Sequence, residues 1–327
     1  MRDFIRNITR LNLPVTILLL AGSVALWIPD FINAVGEEQQ TYVLFYLPHI
    51  VSVELFPLTI LVLTFVVTVI SAIVIMSLLY YSGLTQDRSM LPIVIYMLLI
   101  GSIRTMHYIF SFQIGMMILC GIFVVLYNIY RNPNSSEEVF LATMLLLVAS
   151  ILIPDLLWFV VFVWIALVVE RAVNLRTWLA SVIAIAVFAI FIILSETWFG
   201  DGLQHTTYSI VFNRQLPEIS TTNQLAIKII FILISIALTV YYFSARQRLN
   251  VKIIVACDLF LIAALFTFIL LLFPVATEIP ALVAQLYPVG ALSITALATL
   301  YFSDTPTVLR GSLFLTFIFV LIIYWIV

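Results

Sequence analysis

Two carboxylates, Asp30 and Glu54, stand near the two ends of the segment WIPDFINAVGEEQQTYVLFYLPHIVSVELFP, which separates two long apolar runs. A carboxylate at a membrane surface can act as a general base toward a substrate that a lipid carrier presents, or it can hold a divalent cation. The second half of the segment is apolar and aromatic, which is typical of a stretch lying in the membrane interface. We therefore predict Asp30 and Glu54 as catalytic residues; the alternative is an ordinary solvated loop.

Arg104 and His107, in MLLIGSIRTMHYIFSF, interrupt a region that otherwise reads as membrane span. An arginine at the centre of a membrane helix costs about 2.5–3.5 kcal/mol on insertion scales, so an ionisable residue at this depth indicates a partner or a function. Near the outer surface, a guanidinium can bind a phosphate or a carboxylate through two parallel hydrogen bonds. We predict both residues as substrate-binding; the alternative is an arginine that pairs with an outer carboxylate or a lipid headgroup.

A second polar loop, SETWFGDGLQHTTYSIVFNRQLPEISTTNQ, contains Trp198, His205 and Arg214 among acidic residues. Aromatic rings with bidentate polar groups are typical of sites that bind a sugar or a headgroup. Interfacial loops in general have a similar composition, because aromatic residues form belts at membrane surfaces. We predict these three residues as further substrate-binding groups, with the ordinary interfacial loop as the alternative.

Asp258, in VKIIVACDLFLI, and Gln285, in AQLYPVGALS, are candidates for a transport pathway. Ionisable residues and broken helices inside a bundle can mark transport sites. Asp258 could instead pair with Lys252 or Arg248, and Pro288 could produce either a kink or a broken helix.

No phosphate-binding glycine loop, zinc-type His or Cys spacing, nucleophile elbow or ATPase signature occurs in the sequence. We predict no metal site and no cofactor, apart from a divalent cation that the acidic residues could hold. The energy for any function must then come from an activated lipid substrate, an ion gradient or a partner protein.

The composition predicts the fold class. Of the 327 residues, 64% are hydrophobic and 9% charged, and the mean hydropathy is +1.23, whereas a soluble protein is roughly half apolar and a quarter charged. The long apolar runs of the sequence have the length that a bilayer core about 30 Å thick demands of membrane-spanning helices. We predict an all-α polytopic transmembrane bundle that forms a single integral membrane domain over residues 1–327.

The apolar runs predict about eleven spans. Residues 91–130 and 138–169 are each too long for one crossing, so we expect breaks at SIRTMHYIFSFQ and at Pro154. The predicted spans are 13–31, 57–80, 91–103, 112–130, 138–153, 155–169, 177–195, 225–245, 253–273, 279–302 and 309–327. A nine-span alternative would move Arg131 to the outside.

The basic residues predict the orientation. With the N-terminus in the cytoplasm and the C-terminus outside, eleven of the fourteen basic residues fall on the inner side: Arg2, Arg6, Arg10, Arg88, Arg131, Arg171, Arg176, Arg246, Arg248, Lys252 and Arg310. The positive-inside rule requires such a bias.

The segments IPDLLWFVVFVWIALVVERAVNLRTWLASVIAIAVFAIFI and RQRLNVKIIVACDLFLIAALF resemble an uncharacterised family of polytopic inner-membrane proteins of Bacteroidetes. The shared pattern is a short apolar hairpin, an aromatic span, an R-x-x-N-x-R-x-W connector and a further span, and it extends over most of the chain. Such proteins look similar to integral-membrane glycosyltransferases that use polyprenyl-phosphate sugars. The resemblance implies a catalytic carboxylate in the first outer loop, where Asp30, Glu37, Glu38 and Glu54 are the matching positions. The paired-acid signature and the large outer domain of those enzymes have no counterpart here.

Three hypotheses follow for the function. In the first, the protein handles a lipid-linked sugar or a similar envelope precursor at the outer face, where Asp30 or Glu54 deprotonates the acceptor and Arg104 with Arg214 binds the donor phosphate. In the second, it is a transporter or flippase with Asp258 in its pathway. The third is a non-catalytic membrane scaffold. The expected partners are membrane lipids, among them a polyprenyl-phosphate-linked sugar, and no nucleic acid.

Overall fold

The computed structural model describes residues 13–35, 40–45, 51–85, 89–108, 110–132, 135–199, 221–272, 280–303 and 308–326. These residues form twelve α-helices, three 3₁₀ helices and one β-hairpin. The α-helices are α1 Leu13–Ala25, α2 Ile28–Asn33, α3 Pro57–Tyr81, α4 Leu91–Gly101, α5 Phe110–Arg131, α6 Ser136–Leu152, α7 Phe159–Val169, α8 Leu175–Phe199, α9 Thr221–Ala245, α10 Val251–Leu272, α11 Pro280–Ser303 and α12 Val308–Ile326. The 3₁₀ helices are Arg104–Tyr108, Pro154–Trp158 and Arg246–Arg248, and the strands are β1 Gln40–Phe45 and β2 Val51–Leu55.

The architecture is helical, and its helices are consistent with a multi-pass membrane protein. Five described stretches are long and apolar enough to cross a membrane: Val15–Asn33, Pro57–Tyr81, Ser111–Tyr130, Leu175–Ser195 and Val251–Leu270. Four further helices are apolar but shorter: Leu91–Gly101, Leu156–Val169, Tyr287–Ser303 and Arg310–Leu321. A helix overlaps each of the eleven predicted ranges, while the number of crossings and their orientation stay predictions.

The helices break at both predicted positions, and the breaks set helix length. The 3₁₀ helix Arg104–Tyr108 separates α4 from α5, and Pro154–Trp158 separates α6 from α7. Ile153 has φ −130° and ψ 90°, because a proline ring disfavours helical backbone in the preceding residue. With 11 residues, α4 is about 16 Å long, roughly half of a bilayer core. A crossing by residues 91–103 would therefore require a locally thinned bilayer.

Two helices occupy the centre of the bundle. Ten of the eleven residues of α4 are buried, and the helix contacts α1, α3, α11 and α12. In α11, every residue from Tyr287 to Leu300 is buried. The Tyr287 hydroxyl donates a hydrogen bond of 3.1 Å to the carbonyl of Leu99 and so joins the two helices. Helices that are apolar on every face are expected in such a position.

Helix α11 continues through Pro288 without interruption. Of the two outcomes that the sequence left open at this proline, a kink or a broken helix, the break does not occur. The half-helix ends that would make a transport site at this position are therefore absent from α11.

The β-hairpin lies in the first loop and is not anticipated by the sequence analysis. Its strands pair antiparallel, with Tyr42 opposite Val53, and the register shifts between Val43 and Phe45. Strand β1 contacts α5 and α6. Strand pairing satisfies backbone groups that an unpaired apolar segment would leave exposed at a membrane surface. The hairpin follows α2 and leads into α3, and we call this end of the bundle the outer end, after its predicted orientation.

At the other end, α7 stops in a left-handed turn beside a buried acid. Arg171 has φ 55°, and the N–H groups of Arg171 and Ala172 donate to the carbonyls of Val168 and Leu167 at 3.1 and 2.9 Å. This pair of bonds is a Schellman motif, in which glycine is the usual residue at the left-handed position. The neighbouring Glu170 is buried, and burial raises the pKa of its carboxyl group to about 8.

Glu170 makes the stability of the fold depend on pH. A carboxyl group with a higher pKa in the folded state than in the unfolded chain stabilises the fold at low pH, and this contribution is lost as pH rises through the folded-state pKa. We predict that the thermal unfolding midpoint decreases as the pH is raised from 4.5, the ordinary pKa of the carboxyl group, to its folded-state pKa of about 8. In Glu170→Gln this dependence should disappear, whereas Glu137→Gln, at an exposed position, should keep it. A wild-type midpoint that is flat across this range would contradict the assignment.

Gly115 allows α5 to approach the break before Pro154. A Cβ atom at this position would lie 2.6 Å from Cδ1 and 3.0 Å from Cγ1 of Ile153, which is fully buried. We predict that Gly115→Ala lowers the free energy of unfolding by about 1–3 kcal/mol, as overpacking does elsewhere. Gly22→Ala is the matched control, because no atom lies within 4 Å of its Cβ position and alanine favours helix by up to about 1 kcal/mol. Equal unfolding free energies for the two variants would contradict the close approach.

Candidate functional site

Two of the predicted site residues are in direct contact. Oδ2 of Asp30 lies 2.6 Å from Nδ1 of His107, although 77 positions separate them in the chain. Asp30 is 6% exposed and His107 is fully buried. Because a carboxylate only accepts, we assign the ring Nδ1–H as the donor to Asp30, and the short distance is typical of a charge-assisted hydrogen bond. We call these two residues the Asp–His pair.

Helix α2 positions the acid of this pair. Pro29 occupies the first turn of α2, where its missing N–H costs no hydrogen bond. The backbone N–H of Ala34 donates to the carbonyl of Asp30 at 2.9 Å, one turn later. Trp27 precedes Asp30 by three residues, so the two side chains lie on the same face of the chain as it enters α2.

The 3₁₀ helix Arg104–Tyr108 positions the imidazole. It contacts α3 and α4, and its start is held by the hydrogen bond of 3.0 Å from the N–H of Met106 to the carbonyl of Ile103. Both of these residues are buried. The turn between α4 and α5 thus carries His107 into the interior of the outer end, where it meets α2.

Trp27 is the third member of the site. Its ring stacks on His107 with 3.8 Å between centroids and an interplanar angle of 21°, and it packs edge-on against Phe65 at 5.4 Å. The indole is fully buried, and its Nε1 has no hydrogen-bond partner among the described residues. A Cβ at Gly101 would lie 3.2 Å from this nitrogen, so the glycine makes room for the indole. The spacing of Trp27 to Asp30 in WIPD is the sequence pattern from which a role for Trp27 in this site could have been predicted.

The surroundings of His107 favour proton transfer. An aromatic face and a carboxylate both stabilise positive charge on an imidazole. With Nδ1–H bound by Asp30, Nε2 is the atom of the neutral ring that accepts a proton. The arrangement can therefore act as a general base and then return the proton as a general acid.

Buried polar groups continue inward along α5. The Tyr96 hydroxyl donates to Oε1 of Gln113 at 2.7 Å, and the Ser71 hydroxyl donates to the carbonyl of Gln113 at 3.2 Å. Nε2 of Gln113 and the hydroxyl oxygen of Ser111 have no hydrogen-bond partner among the described residues, and both are buried.

The other predicted site residues are described by their backbone alone or not at all. Arg104 lies three residues before His107 in the same 3₁₀ helix, Glu54 pairs with Thr41 in the hairpin, Trp198 is in the last turn of α8, and Gln285 is in α11. The structure describes no side chain for these four predicted residues. His205 and Arg214 lie outside the described residues. The roles assigned to all six stay predictions.

Asp258 is part of an ion pair at the other end of the bundle. Nη2 of Arg246 lies 2.9 Å from Oδ2 of Asp258, and the Tyr242 hydroxyl donates to Oδ1 at 2.6 Å. The pairing of Asp258 with Lys252 or Arg248, which the sequence suggested as the alternative, is wrong. Tyr242 lies in the last turn of α9, and Arg246 is the first residue of the 3₁₀ helix that follows, so both contact Asp258 of α10 from the same short stretch of chain. This contact closes the α9–α10 turn, which weakens the case for Asp258 in a transport pathway.

No group of three or more His, Cys, Asp or Glu residues in the described ranges could hold a metal ion. Cys120 and Cys257 are free and buried. The divalent cation at Asp30 or Glu54 stays a prediction.

Comparisons with protein-family models, with curated proteins and with solved structures give no match. The resemblance seen in the sequence is thus neither supported nor contradicted. The functional argument rests on the chemistry of the described residues.

The Asp–His pair should be strongly coupled in stability. We predict that Asp30→Ala and His107→Ala each lower the free energy of unfolding by about 3–5 kcal/mol, because each leaves its buried partner unpaired. The double variant should lose about 1–3 kcal/mol less than the sum of the two. The measurement is a double-mutant cycle on purified protein in detergent.

The matched control is the pair of Asp258 and Arg246, whose arginine side chain is 44% exposed. A half-exposed ion pair should show a coupling below about 1 kcal/mol. Additive effects at Asp30 and His107 would contradict the contact between them.

Proposed function

We propose that this chain is a multi-pass protein of a bacterial inner membrane that handles a lipid-linked sugar, or a similar phosphate-bearing envelope precursor, at its outer end. In this proposal the chain crosses the membrane eleven times with its N-terminus in the cytoplasm. The Asp–His pair supplies the acid–base chemistry. The five apolar helices of membrane-spanning length and the bias of basic residues toward one side support the membrane placement.

The observation that carries the proposal is the contact of 2.6 Å between Asp30 and His107. A carboxylate that holds the Nδ1–H of a histidine selects the tautomer and stabilises the imidazolium that forms when Nε2 takes a proton. Ordinary core packing calls for apolar side chains, and burying an ion pair instead brings little stability on balance. The stacked Trp27 fixes the plane of the ring, as a proton-transfer group requires.

The proposed reaction is the transfer of a sugar to an acceptor hydroxyl. His107 Nε2 takes the proton of the acceptor hydroxyl while the hydroxyl oxygen attacks the anomeric carbon of the sugar. The bond between that carbon and the phosphate oxygen breaks. The polyprenyl phosphate leaves with the bonding electrons. Arg104 and Arg214 are the proposed binding groups for the phosphate, because a guanidinium matches its oxygens in two parallel hydrogen bonds.

Burial of the pair imposes a condition on this reaction. His107 is fully enclosed and Asp30 nearly so, so the outer end must open to admit an acceptor and close again. Closure removes water from the site, which strengthens the electrostatic interactions inside it. The hairpin lies next to this end, with β1 against α5 and α6.

A second candidate is a proton-coupled transporter or flippase. It is favoured by the same enclosed pair together with the buried polar groups of Tyr96, Ser71 and Gln113. Chains of acidic, histidine and polar groups inside a membrane bundle serve as proton relays in transporters. In this version His107 carries protons between the outer end and the interior.

The test uses the full chain in proteoliposomes, with a polyprenyl-phosphate-linked hexose as the probe. We predict that the wild type releases polyprenyl phosphate and that His107→Ala lowers the rate by about 10²–10⁴-fold, the usual contribution of a general base. By native mass spectrometry, we also expect the purified wild type to retain bound polyprenyl phosphate and Arg104→Ala to lose it. Asp258→Asn is the matched control, since its carboxylate lies at the opposite end, and should keep both properties.

Equal rates in His107→Ala and the wild type would overturn the enzymatic proposal. Movement of the intact probe across the membrane that depends on a proton gradient and is lost in His107→Ala would favour the transporter. If neither release nor movement occurs in correctly folded protein, the scaffold hypothesis is favoured.

A further inference from the structure

A cleft of about 250 Å³ opens at the end of the bundle opposite the Asp–His pair. One wall is the end of α3, with Tyr81, Ser82 and Gly83, and the other is the start of α10, with Asn250 and Lys252. Its volume is far more than one or two waters need. Tyr127 of α5 completes the lining. Three helices that are distant in sequence therefore meet at this cleft.

Gly83 fixes the shape of the cleft. It has φ 78°, a left-handed conformation that glycine adopts without strain, and it turns the chain sharply after α3. A Cβ at this position would lie 4.0 Å from Cγ1 of Ile253, so the turn of α3 sits directly beside the first turn of α10. Tyr127 of α5 also lines the cleft, and its ring packs edge-on against that of Tyr81 with 5.7 Å between centroids.

The lining is suited to an anion. Lys252 is the one charged residue among those that line the cleft, and the other polar groups are the hydroxyls of Tyr81, Ser82 and Tyr127 and the amide of Asn250. The Tyr81 hydroxyl donates to Oδ1 of Asn128 at 2.7 Å and the Ser82 hydroxyl donates to the carbonyl of Leu79 at 3.0 Å, so the side-chain donors for an anion are Lys252 and the Asn250 amide. The carbonyl of Asn250 accepts the N–H of Ile254 at 3.0 Å, so Asn250 caps α10 and the first N–H groups of this 22-residue helix face the same end. The start of a helix carries partial positive charge, which adds to that of Lys252.

The surface that leads to the cleft is suited to a lipid. Along α3, the exposed side chains Val62, Val66, Ile70, Ile73 and Tyr80 recur at helical spacing. They form an apolar stripe that ends where Tyr81, itself 45% exposed, borders the cleft. Acyl chains lying on this stripe would bring their headgroup to the cleft.

We propose that this cleft binds the phosphate-bearing headgroup of an anionic phospholipid of the inner leaflet. The phosphate contacts Lys252 and the start of α10, the Tyr81 ring borders the glycerol, and the acyl chains follow the stripe on α3. This site is independent of the Asp–His pair and of the chemistry proposed for it, and its assignment to the inner leaflet rests on the proposed orientation of the chain. A lipid held here joins α3 to the α9–α10 turn.

The test measures lipid binding to the full chain in mild detergent by native mass spectrometry. The probes are phosphatidylglycerol and phosphatidylcholine with identical acyl chains, and inorganic phosphate as a competitor. We expect phosphatidylglycerol to bind more tightly than phosphatidylcholine, and Lys252→Ala to weaken phosphatidylglycerol binding about fivefold, as for the loss of one basic contact at a membrane surface. Lys252→Arg should retain binding, and the thermal unfolding midpoint of each variant reports that it is folded.

The matched control is Arg248→Ala, which removes an exposed basic residue of the same turn that does not line the cleft. It should change the affinity by less than about twofold, since a charge outside the site acts only through the screened surface potential. Equal losses in Lys252→Ala and Arg248→Ala, or equal binding of the two lipids, would overturn the proposal. Displacement of phosphatidylglycerol by inorganic phosphate at cellular concentration would identify free phosphate as the ligand and overturn the lipid assignment.

Discussion

The hydrogen bond between Asp30 and His107 is the interaction on which the outer end of the bundle depends. A carboxylate and an imidazole in an apolar interior must find each other, because either one alone would remain buried and uncompensated. Their contact holds α2 against the turn between α4 and α5. The stacking of Trp27 on the imidazole and the close approach at Gly101 follow from the same placement. The first predicted span is thereby joined to α4 through the 3₁₀ helix that follows α4.

The helices were predictable because apolar runs and prolines act locally. The break at Pro154 follows from the backbone restriction on Ile153 alone. The pairing of Asp30 with His107 was not predictable, although both residues were named, because a contact across 77 positions depends on how the helices cross. Asp258 shows the same limit: its neighbours in sequence suggested the wrong cation, since its partner Arg246 lies 12 residues earlier, in the turn between α9 and α10.

The hairpin was missed for a different reason. Its strands, QTYVLF and VSVEL, are rich in β-branched and aromatic residues, which is a strand pattern. In a chain dominated by membrane helices, an apolar aromatic stretch was read as an interfacial segment. Strand pairing satisfies the backbone in the same place, so composition alone does not separate the two structures.

Most buried hydroxyl groups in this bundle serve their own helix. Thr64, Thr68, Thr267, Thr295 and Thr299 each donate to the carbonyl four residues earlier, at 2.6 to 2.8 Å. A hydroxyl bonded in this way presents mainly carbon to the neighbouring helix. The helices therefore associate chiefly by the fit of apolar and aromatic surfaces, and the few polar contacts between helices stand out as determinants of position.

The central placement of α4 has a consequence for how the protein is made. This helix is about half as long as a bilayer core is thick and is enclosed by other helices, with α11 and α12 among its neighbours. Nearly two hundred residues separate Leu99 from the tyrosine that bonds it, so during synthesis α4 is made long before α11, which packs against it. A nascent chain halted before α11 would leave the flank of α4 without its cover. Synthesis of α11 is thus the step that completes the packing around α4, and a chain that stops short of it would leave this helix accessible to membrane proteases.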